Sequence, residues 1–130
     1  LKPFPAPNPR DIIGLAWLHG LHARSCILRS KLWQAEHMIS AVRDYTLVLA
    51  CLRLGLPALH GRGMDELPKS VTGPLLATLI GRLESDQLWR SFGGVLQSLI
   101  GEINHADPEL GELVSAEIAE LAHWPPRQNP

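Results

Sequence analysis

The stretch RSCILRSKLWQAEHMISAVRDYTLVLACLRLGLP, residues 24–57, decides the fold of this chain. Its part from residue 32 to residue 54 predicts one long helix, because apolar side chains recur there with the period of an α-helix. The other faces of this segment are also largely apolar, so we expect the helix to be buried on most sides. Gly55 and Pro57 follow and predict its end.

Two charged residues, Glu36 and Arg43, lie on the main apolar stripe of this helix. The stripe consists of Leu32, Glu36, Ile39, Arg43, Leu47, Ala50 and Leu54. The residues three and four positions away are the helical neighbours, and among them neither charge is expected to find a partner. A buried ionised group without a partner is costly. We therefore expect each charge to pair with another element or to face a cleft.

Four further segments carry apolar residues at helical spacing: residues 10–30, 69–83, 87–105 and 109–122. Pro74 is expected to delay or kink the first turn of the second segment. Ser85 and Asp86 are expected to cap the third, and Asp107 with the proline after it to open the last. Strand-like alternation and internal repeats are absent from the sequence. It predicts an all-α fold, an up-and-down four-helix bundle with an additional C-terminal helix.

Composition excludes several classes of partner. The chain has 130 residues, 12 of them basic and 13 acidic, with a net charge of −1. This balance gives no electrostatic footprint for nucleic acid or for a membrane surface, and no segment approaches the roughly 20 apolar residues of a membrane span. Cys26 and Cys51 lie in predicted apolar helices and are expected to be free, buried thiols, as in a cytoplasmic protein. The tryptophans are expected to pack in the core or at its rim: Trp17, Trp33, Trp89 and Trp124.

The two ends of the chain are rich in proline. Residues 1–9 predict an extended linker, residues 10–124 the helical domain, and residues 125–130 an irregular tail. Because Leu1 is not an initiator methionine, we expect this chain to be a piece of a longer protein.

Polar residues share one face of the first predicted helix: His19, His22, Cys26 and Arg29. His22 and Cys26 are one turn apart and have zinc-ligand chemistry, but a third ligand with matching spacing is missing, so no metal site is predicted. His22, Arg24 and Arg29 can all donate to phosphate, which makes them candidate contacts for an anionic substrate or nucleotide. The alternative is a polar stripe with one histidine hydrogen-bonded in the core.

A second pattern is the pair Arg53 and His60, separated by six residues. This spacing superficially fits the arginine-histidine motif of ribonuclease domains built on a related helical bundle. Gly55 and Pro57 interrupt the pair, and Leu54 stands where that motif has a polar residue. A ribonuclease-like domain is therefore the weakest alternative.

The segment from residue 17 to residue 68 resembles the helical C-terminal domain of nucleotidyltransferases of the DNA polymerase β-like superfamily. It looks most like that of the kanamycin-type aminoglycoside nucleotidyltransferases, and its most specific part is W-Q-A-E-x-M-I-x-x-x-R-D, residues 33–44. The resemblance implies that a preceding α/β domain carries the metal-binding carboxylates and a glycine-serine nucleotide loop, and that the helical domain helps to bind the acceptor. In the kanamycin-type members a glutamate of the helical domain is the general base for the acceptor hydroxyl, and by motif position the resemblance gives this role to Glu36.

Transfer of a nucleoside monophosphate from an NTP to a hydroxyl needs Mg²⁺ ions, an in-line hydroxyl and a proton acceptor. Arg43 lies about 10 Å along the same stripe, and it could clamp phosphate or neutralise a carboxylate. The sequence contains neither a paired-aspartate motif nor a catalytic α/β domain. The resemblance therefore implies that Mg²⁺ and NTP bind only together with an N-terminal catalytic domain or a separate catalytic subunit. This chain alone is expected to be inactive and to contribute the site for a small-molecule acceptor.

The alternative class is non-enzymatic. In it the chain is a self-associating bundle or an antitoxin-like partner, in which Glu36 and Arg43 form a buried structural pair and exposed apolar helix faces form a homodimer. The direction of the Glu36 side chain distinguishes the two classes. A partly exposed Glu36 in a cleft near Arg24 or His22 favours the enzyme, and a Glu36 closed off against Arg43 of a neighbouring helix or subunit favours the structural role.

Overall fold

The computed structural model describes residues 6–123, and these residues are helical or irregular, with no strand among them. The five α-helices are α1 (Pro9–Leu28), α2 (Leu32–Leu54), α3 (Lys69–Leu76), α4 (Ser85–Ala106) and α5 (Pro108–Glu120). Two short 3₁₀ turns, Leu59–Gly61 and Met64–Glu66, lie between α2 and α3. The predicted all-α class is confirmed. The predicted linker is described only from residue 6 onward, and Trp124 and the predicted tail lie outside the described residues.

The central helix α2 begins and ends where the sequence predicts. Gly55 follows it with φ +70°, a left-handed conformation that glycine adopts without steric cost, and its N–H donates to carbonyls of the last turn. Helix α1 begins at Pro9 rather than at residue 10, and the side chain of Asn8 caps it by accepting from the Arg10 N–H at 2.9 Å. It ends at Leu28 rather than at residue 30.

Helix α3 is shorter than the sequence predicts, because it ends at Leu76 instead of residue 83. Pro74 lies inside it and cannot donate to the carbonyl one turn earlier. The Thr78 hydroxyl then donates to the Leu75 carbonyl at 2.6 Å, which caps the end of the helix. Residues 77–84, here named the α3–α4 connection, leave the helix at this point.

The predicted capping of α4 by Ser85 and Asp86 is wrong. The extended backbone of Glu84 brings the chain into the helix at Ser85, so both residues lie within the first turn, where Asp86 faces the positive end of the helix dipole. The predicted capping of α5 by Asp107 is confirmed, although the helix covers Pro108–Glu120 rather than residues 109–122. Asp107 caps that helix by accepting from the Leu110 N–H at 3.1 Å, and the intervening proline occupies the first helical position.

The core forms around α2, which packs against α1, α3 and α4, while α4 also packs against α1 and α5. Its largest fully buried apolar side chains are Phe92, Ile39, Leu88, Leu96, Leu99, Ile103 and Ile118. Cys26 and Cys51 are buried and free, as the sequence predicts. Within residues 6–123, no helix has the length and apolar character needed to cross a membrane. This packing places the charged stripe of α2 beside α4 and the α3–α4 connection.

Candidate functional site

Glu36 lies in the first part of α2 and lines a groove of about 430 Å³. We name it the Glu36 groove; its other lining residues are Trp33, Leu79, Ile80, Gly81, Arg82 and Leu83. The Glu36 side chain is 24% exposed, and its Oε1 accepts a hydrogen bond from the Ser40 hydroxyl at 2.9 Å. Its Oε2 is buried and has no hydrogen-bond partner among the described residues. A buried carboxylate oxygen without a hydrogen-bond donor is uncommon and costly. Oε2 is therefore the first candidate for a functional role.

Arg43 is only 8% exposed, and its guanidinium contacts three elements. Nε donates to Thr78 Oγ1 at 2.9 Å, and Nη2 donates to Ser91 Oγ at 3.1 Å and to the Thr78 carbonyl at 3.3 Å. Nη1 donates to Ser40 Oγ at 3.3 Å. Burial lowers the pKa of Arg43 from its ordinary value, and two nearby carboxylates oppose this shift. We name Ser40, Arg43, Thr78 and Ser91 the Arg43 cluster.

Glu36 and Arg43 are connected through Ser40, which lies between them on the same face of α2. The Ser40 hydroxyl donates to Glu36 and accepts from Arg43, and the two charged groups are 3.9 Å apart, from Arg43 Nη1 to Glu36 Oε1. The prediction that neither charge finds a partner within its own helix is therefore wrong. The prediction that each pairs with another element or faces a cleft is confirmed, because Arg43 binds Thr78 and Ser91 and Glu36 lines the groove.

The candidate substrate-binding residues of α1 have different surroundings. His22 and Arg29 are exposed, and Arg29 follows the last residue of the helix. Arg24 donates to the Leu121 carbonyl at 2.7 Å, and its guanidinium carbon lies 6.0 Å from the centre of the Trp89 ring. Among the described residues, no hydrogen bond or ion pair joins these three side chains to Glu36.

A second buried carboxylate, Glu102 on α4, was not predicted. Its side chain is 9% exposed and accepts two hydrogen bonds from Arg53, at 2.9 and 3.0 Å, which raise the pKa of Arg53. The pair lines a cavity of about 330 Å³ together with Thr46, Ser70, Val71, Leu75, Ser98, Gly101 and His105. Glu102 lies between Leu99 and Ile103 on the inward face of α4. A charged residue on an apolar helix face is the sequence feature that could have identified it. His60, the other residue of the ribonuclease-like pattern, lies in a 3₁₀ turn with φ +58°.

Thr78 and Ser91 were also not predicted, although both are buried and hydrogen-bonded to Arg43. A close backbone approach brings them together. A Cβ at Gly94, one turn after Ser91 in α4, would lie 2.7 Å from Thr78 Cγ2. Glycine at this position therefore lets the α3–α4 connection contact α4 directly. Small polar residues on the inward face of a helix, such as Ser91 beside Phe92, are the sequence feature that points to such a contact.

Residues 6–123 contain no group of three or more histidine, cysteine, aspartate or glutamate side chains that could hold a metal ion. No protein-family model, no curated protein and no solved structure matches the chain.

Proposed function

We propose that this chain is the helical, substrate-binding domain of a nucleotidyltransferase. The enzyme transfers a nucleoside monophosphate from an NTP to a hydroxyl of a small-molecule acceptor, and Glu36 is the general base. The observation that carries this proposal is the state of the Glu36 carboxylate. Ser40 fixes Oε1, while Oε2 has no donor and belongs to a side chain that lines a groove. A general base needs a lone pair within hydrogen-bond reach of the acceptor hydroxyl. Because Oε2 is buried while the side chain as a whole is 24% exposed, our proposal includes a rotation of the Glu36 carboxylate that brings Oε2 into the groove when the acceptor binds.

The groove has surfaces that suit a ring-shaped acceptor. Trp33, at its rim, is 82% exposed, although tryptophan usually buries most of its large apolar surface. Leu79, on the α3–α4 connection, is also exposed. In our proposal the acceptor lies against these apolar side chains, with one hydroxyl directed to the Glu36 carboxylate. Contacts to the ring then hold that hydroxyl in line for attack on the phosphate.

The proposal includes a catalytic α/β domain, either N-terminal to this chain in the same protein or a separate subunit. That domain holds Mg²⁺ and the NTP, so this chain alone is inactive. His22, Arg24 and Arg29 are proposed contacts for the acceptor or the nucleotide. We further propose an up-and-down arrangement of α1 to α4 with α5 added, a cytoplasmic location and a homodimer. Neither nucleic acid nor a membrane is a proposed partner.

Two observations favour the non-enzymatic alternative. Glu36 lies 3.9 Å from Arg43 within a single helix, and Leu76 and Leu113 expose large apolar surfaces at 69% and 75%. A structural ion pair together with such surfaces is what a self-associating bundle requires. The two proposals differ in one expectation, because only the enzyme requires the Glu36 carboxylate for a reaction.

The test is nucleotidyl transfer by the complete protein in which this chain occurs, followed as pyrophosphate release. The acceptor panel begins with aminoglycosides, because the sequence resemblance is to the kanamycin-type enzymes. Glu36→Gln keeps the shape of the side chain and removes the base, so we expect the rate to fall by about 10²-fold or more. Glu117→Gln is the matched control, since this exposed glutamate of α5 lies outside the groove. An active, folded Glu36→Gln protein with the wild-type rate contradicts the proposal.

A further inference from the structure

The Arg43 cluster joins the carboxylate of Glu36 to the opposite wall of its groove. On one side, Arg43 Nη1 donates to Ser40, whose hydroxyl donates to Glu36 Oε1. On the other side, Nε and Nη2 donate to both oxygens of Thr78. One buried guanidinium therefore contacts the base side and the wall side of the same groove.

Thr78 is the residue from which the wall of the groove continues. The next five residues, 79–83, all line the Glu36 groove. Thr78 itself is 3% exposed, and its hydroxyl both donates to the Leu75 carbonyl and accepts from Arg43. Its side-chain rotamer is thus determined from two directions. Any shift of Thr78 is transmitted to the groove, because the wall begins at the next peptide bond.

The contact with α4 makes this position still more constrained. Ser91 accepts from Arg43 Nη2 at 3.1 Å, and the open space above Gly94 receives the Thr78 methyl group. Arg43 therefore fixes Thr78 against a helix that belongs to the core. An arginine can do this because its planar fork carries five donors in fixed directions, which lysine lacks.

We propose that Arg43 is a positioning residue for Glu36. Its guanidinium orients the carboxylate through Ser40 and fixes the groove wall through Thr78, without touching the substrate. The catalytic consequence rests on the proposed function, whereas the effect on the groove wall does not. The two effects of Arg43 can be tested separately. Substitution of Ser40 is expected to affect the base, and substitution of Thr78 is expected to affect the groove wall.

The first experiment measures steady-state kinetics of the complete protein with two mild variants. Ser40→Ala removes only the bridge to Glu36 and suits a helix, so we expect kcat to fall by roughly 10-fold with little change in KM. Thr78→Val keeps the shape of the side chain but loses the hydroxyl that accepts from Arg43 Nε and donates to the Leu75 carbonyl, so we expect mainly a higher KM. A Ser40→Ala protein with wild-type kcat overturns the proposed role.

A double-mutant comparison distinguishes positioning from a general loss of structure. If Arg43 and Ser40 act through the carboxylate, Ser40→Ala has no further effect on kcat in a protein that already carries Glu36→Gln. The same roughly 10-fold loss in that background shows that Ser40 acts elsewhere and overturns the inference. Arg43→Lys is expected to resemble Arg43→Met rather than the wild type, because one ammonium group cannot contact Ser40, Thr78 and Ser91 together.

The second experiment does not depend on activity. Amide hydrogen exchange of this 130-residue chain reports the wall directly, since the N–H groups of Thr78 and Leu79 donate to the carbonyls of Leu75 and Leu76. Arg43→Met is expected to speed their exchange by at least about 10-fold, while amides at the centre of α1 stay at the wild-type rate. Unchanged exchange at residues 78 and 79 overturns the positioning of the wall even if Glu36→Gln abolishes transfer. Faster exchange together with a fully active Glu36→Gln protein supports the wall contact and contradicts the base.

Discussion

Replacing Gly94 by alanine tests the close contact between α4 and Thr78. In most exposed helical positions this substitution stabilises a protein by about 0.5–1 kcal/mol, because alanine loses less backbone entropy on folding. At Gly94 the new Cβ would lie 2.7 Å from Thr78 Cγ2. Thr78 cannot rotate away without breaking its hydrogen bonds to Leu75 and Arg43. We therefore expect Gly94→Ala to destabilise the chain.

The magnitude follows from two opposing effects. Overpacking by one methyl group in a well-packed interior costs about 1–3 kcal/mol, against which the helix propensity contributes about 0.5–1 kcal/mol. The net cost is about 1 kcal/mol. In a Thr78→Ser background the clashing methyl group is absent, while the hydroxyl for Arg43 is kept. There Gly94→Ala is expected to stabilise by about 0.5–1 kcal/mol, so the sign of the effect reverses.

The assay is urea or thermal unfolding followed by circular dichroism, for which 1 kcal/mol corresponds to about 3–5 °C in a chain of this size. Gly101→Ala is the matched control, because Gly101 lies in the same helix and a Cβ there meets nothing within 4 Å. It is expected to stabilise in either background. A Gly94→Ala protein as stable as Gly101→Ala, or equal effects of Gly94→Ala in the wild-type and Thr78→Ser backgrounds, would refute the reasoning.

Two further predictions concern polar contacts elsewhere. Arg53→Met leaves the Glu102 carboxylate buried without its two donors, so we expect the free energy of unfolding, measured in urea, to fall by about 2–4 kcal/mol. Adding Glu102→Met should recover most of this loss. A double variant as unstable as the single one contradicts this explanation. Asp107→Ala removes the cap of α5 and the ion pair with Arg10, and should cost about 1 kcal/mol. Asp107→Asn keeps a capping oxygen and should stay within about 0.5 kcal/mol of the wild type, whereas equal losses for both would assign the effect to the exposed ion pair.

The helices that could be located from sequence are those whose ends depend on local chemistry. Both ends of α2 were predicted correctly. Its apolar period begins at residue 32, and a glycine and a proline follow its last residue. The cap of α5 at Asp107 was also predicted, with the first helical residue one position off. The end of α3 was not, because it depends on contacts that arise only in the folded chain. The carbonyl of Ala77 accepts from Arg90, and that of Thr78 accepts from Arg43.

The candidate site was predictable only where its residues lie close together in sequence. Charges on an apolar stripe identified Glu36 and Arg43, and the role of Ser40 could have been found from its position between them on the same face. Thr78 and Ser91 could not, since they lie 35 and 48 residues from Arg43 in sequence. Trp33 was expected in the core or at its rim, but it is 82% exposed. Its aromatic character favoured burial, whereas the packing of α2 directs that face of its first turn outward.

The central claim is that this chain supplies the acceptor site and the base of a nucleotidyltransferase. In its most direct test, the complete protein is incubated with Mg²⁺, the acceptor panel and an NTP labelled at the α-phosphate. The 130-residue chain alone is incubated in parallel under the same conditions. The account predicts an acceptor that carries the labelled nucleoside monophosphate with the complete protein, a loss of about 10²-fold or more with Glu36→Gln, and no labelled product from the chain alone. Labelled product at the wild-type rate from the Glu36→Gln protein, or no labelled acceptor from the complete protein, would contradict it.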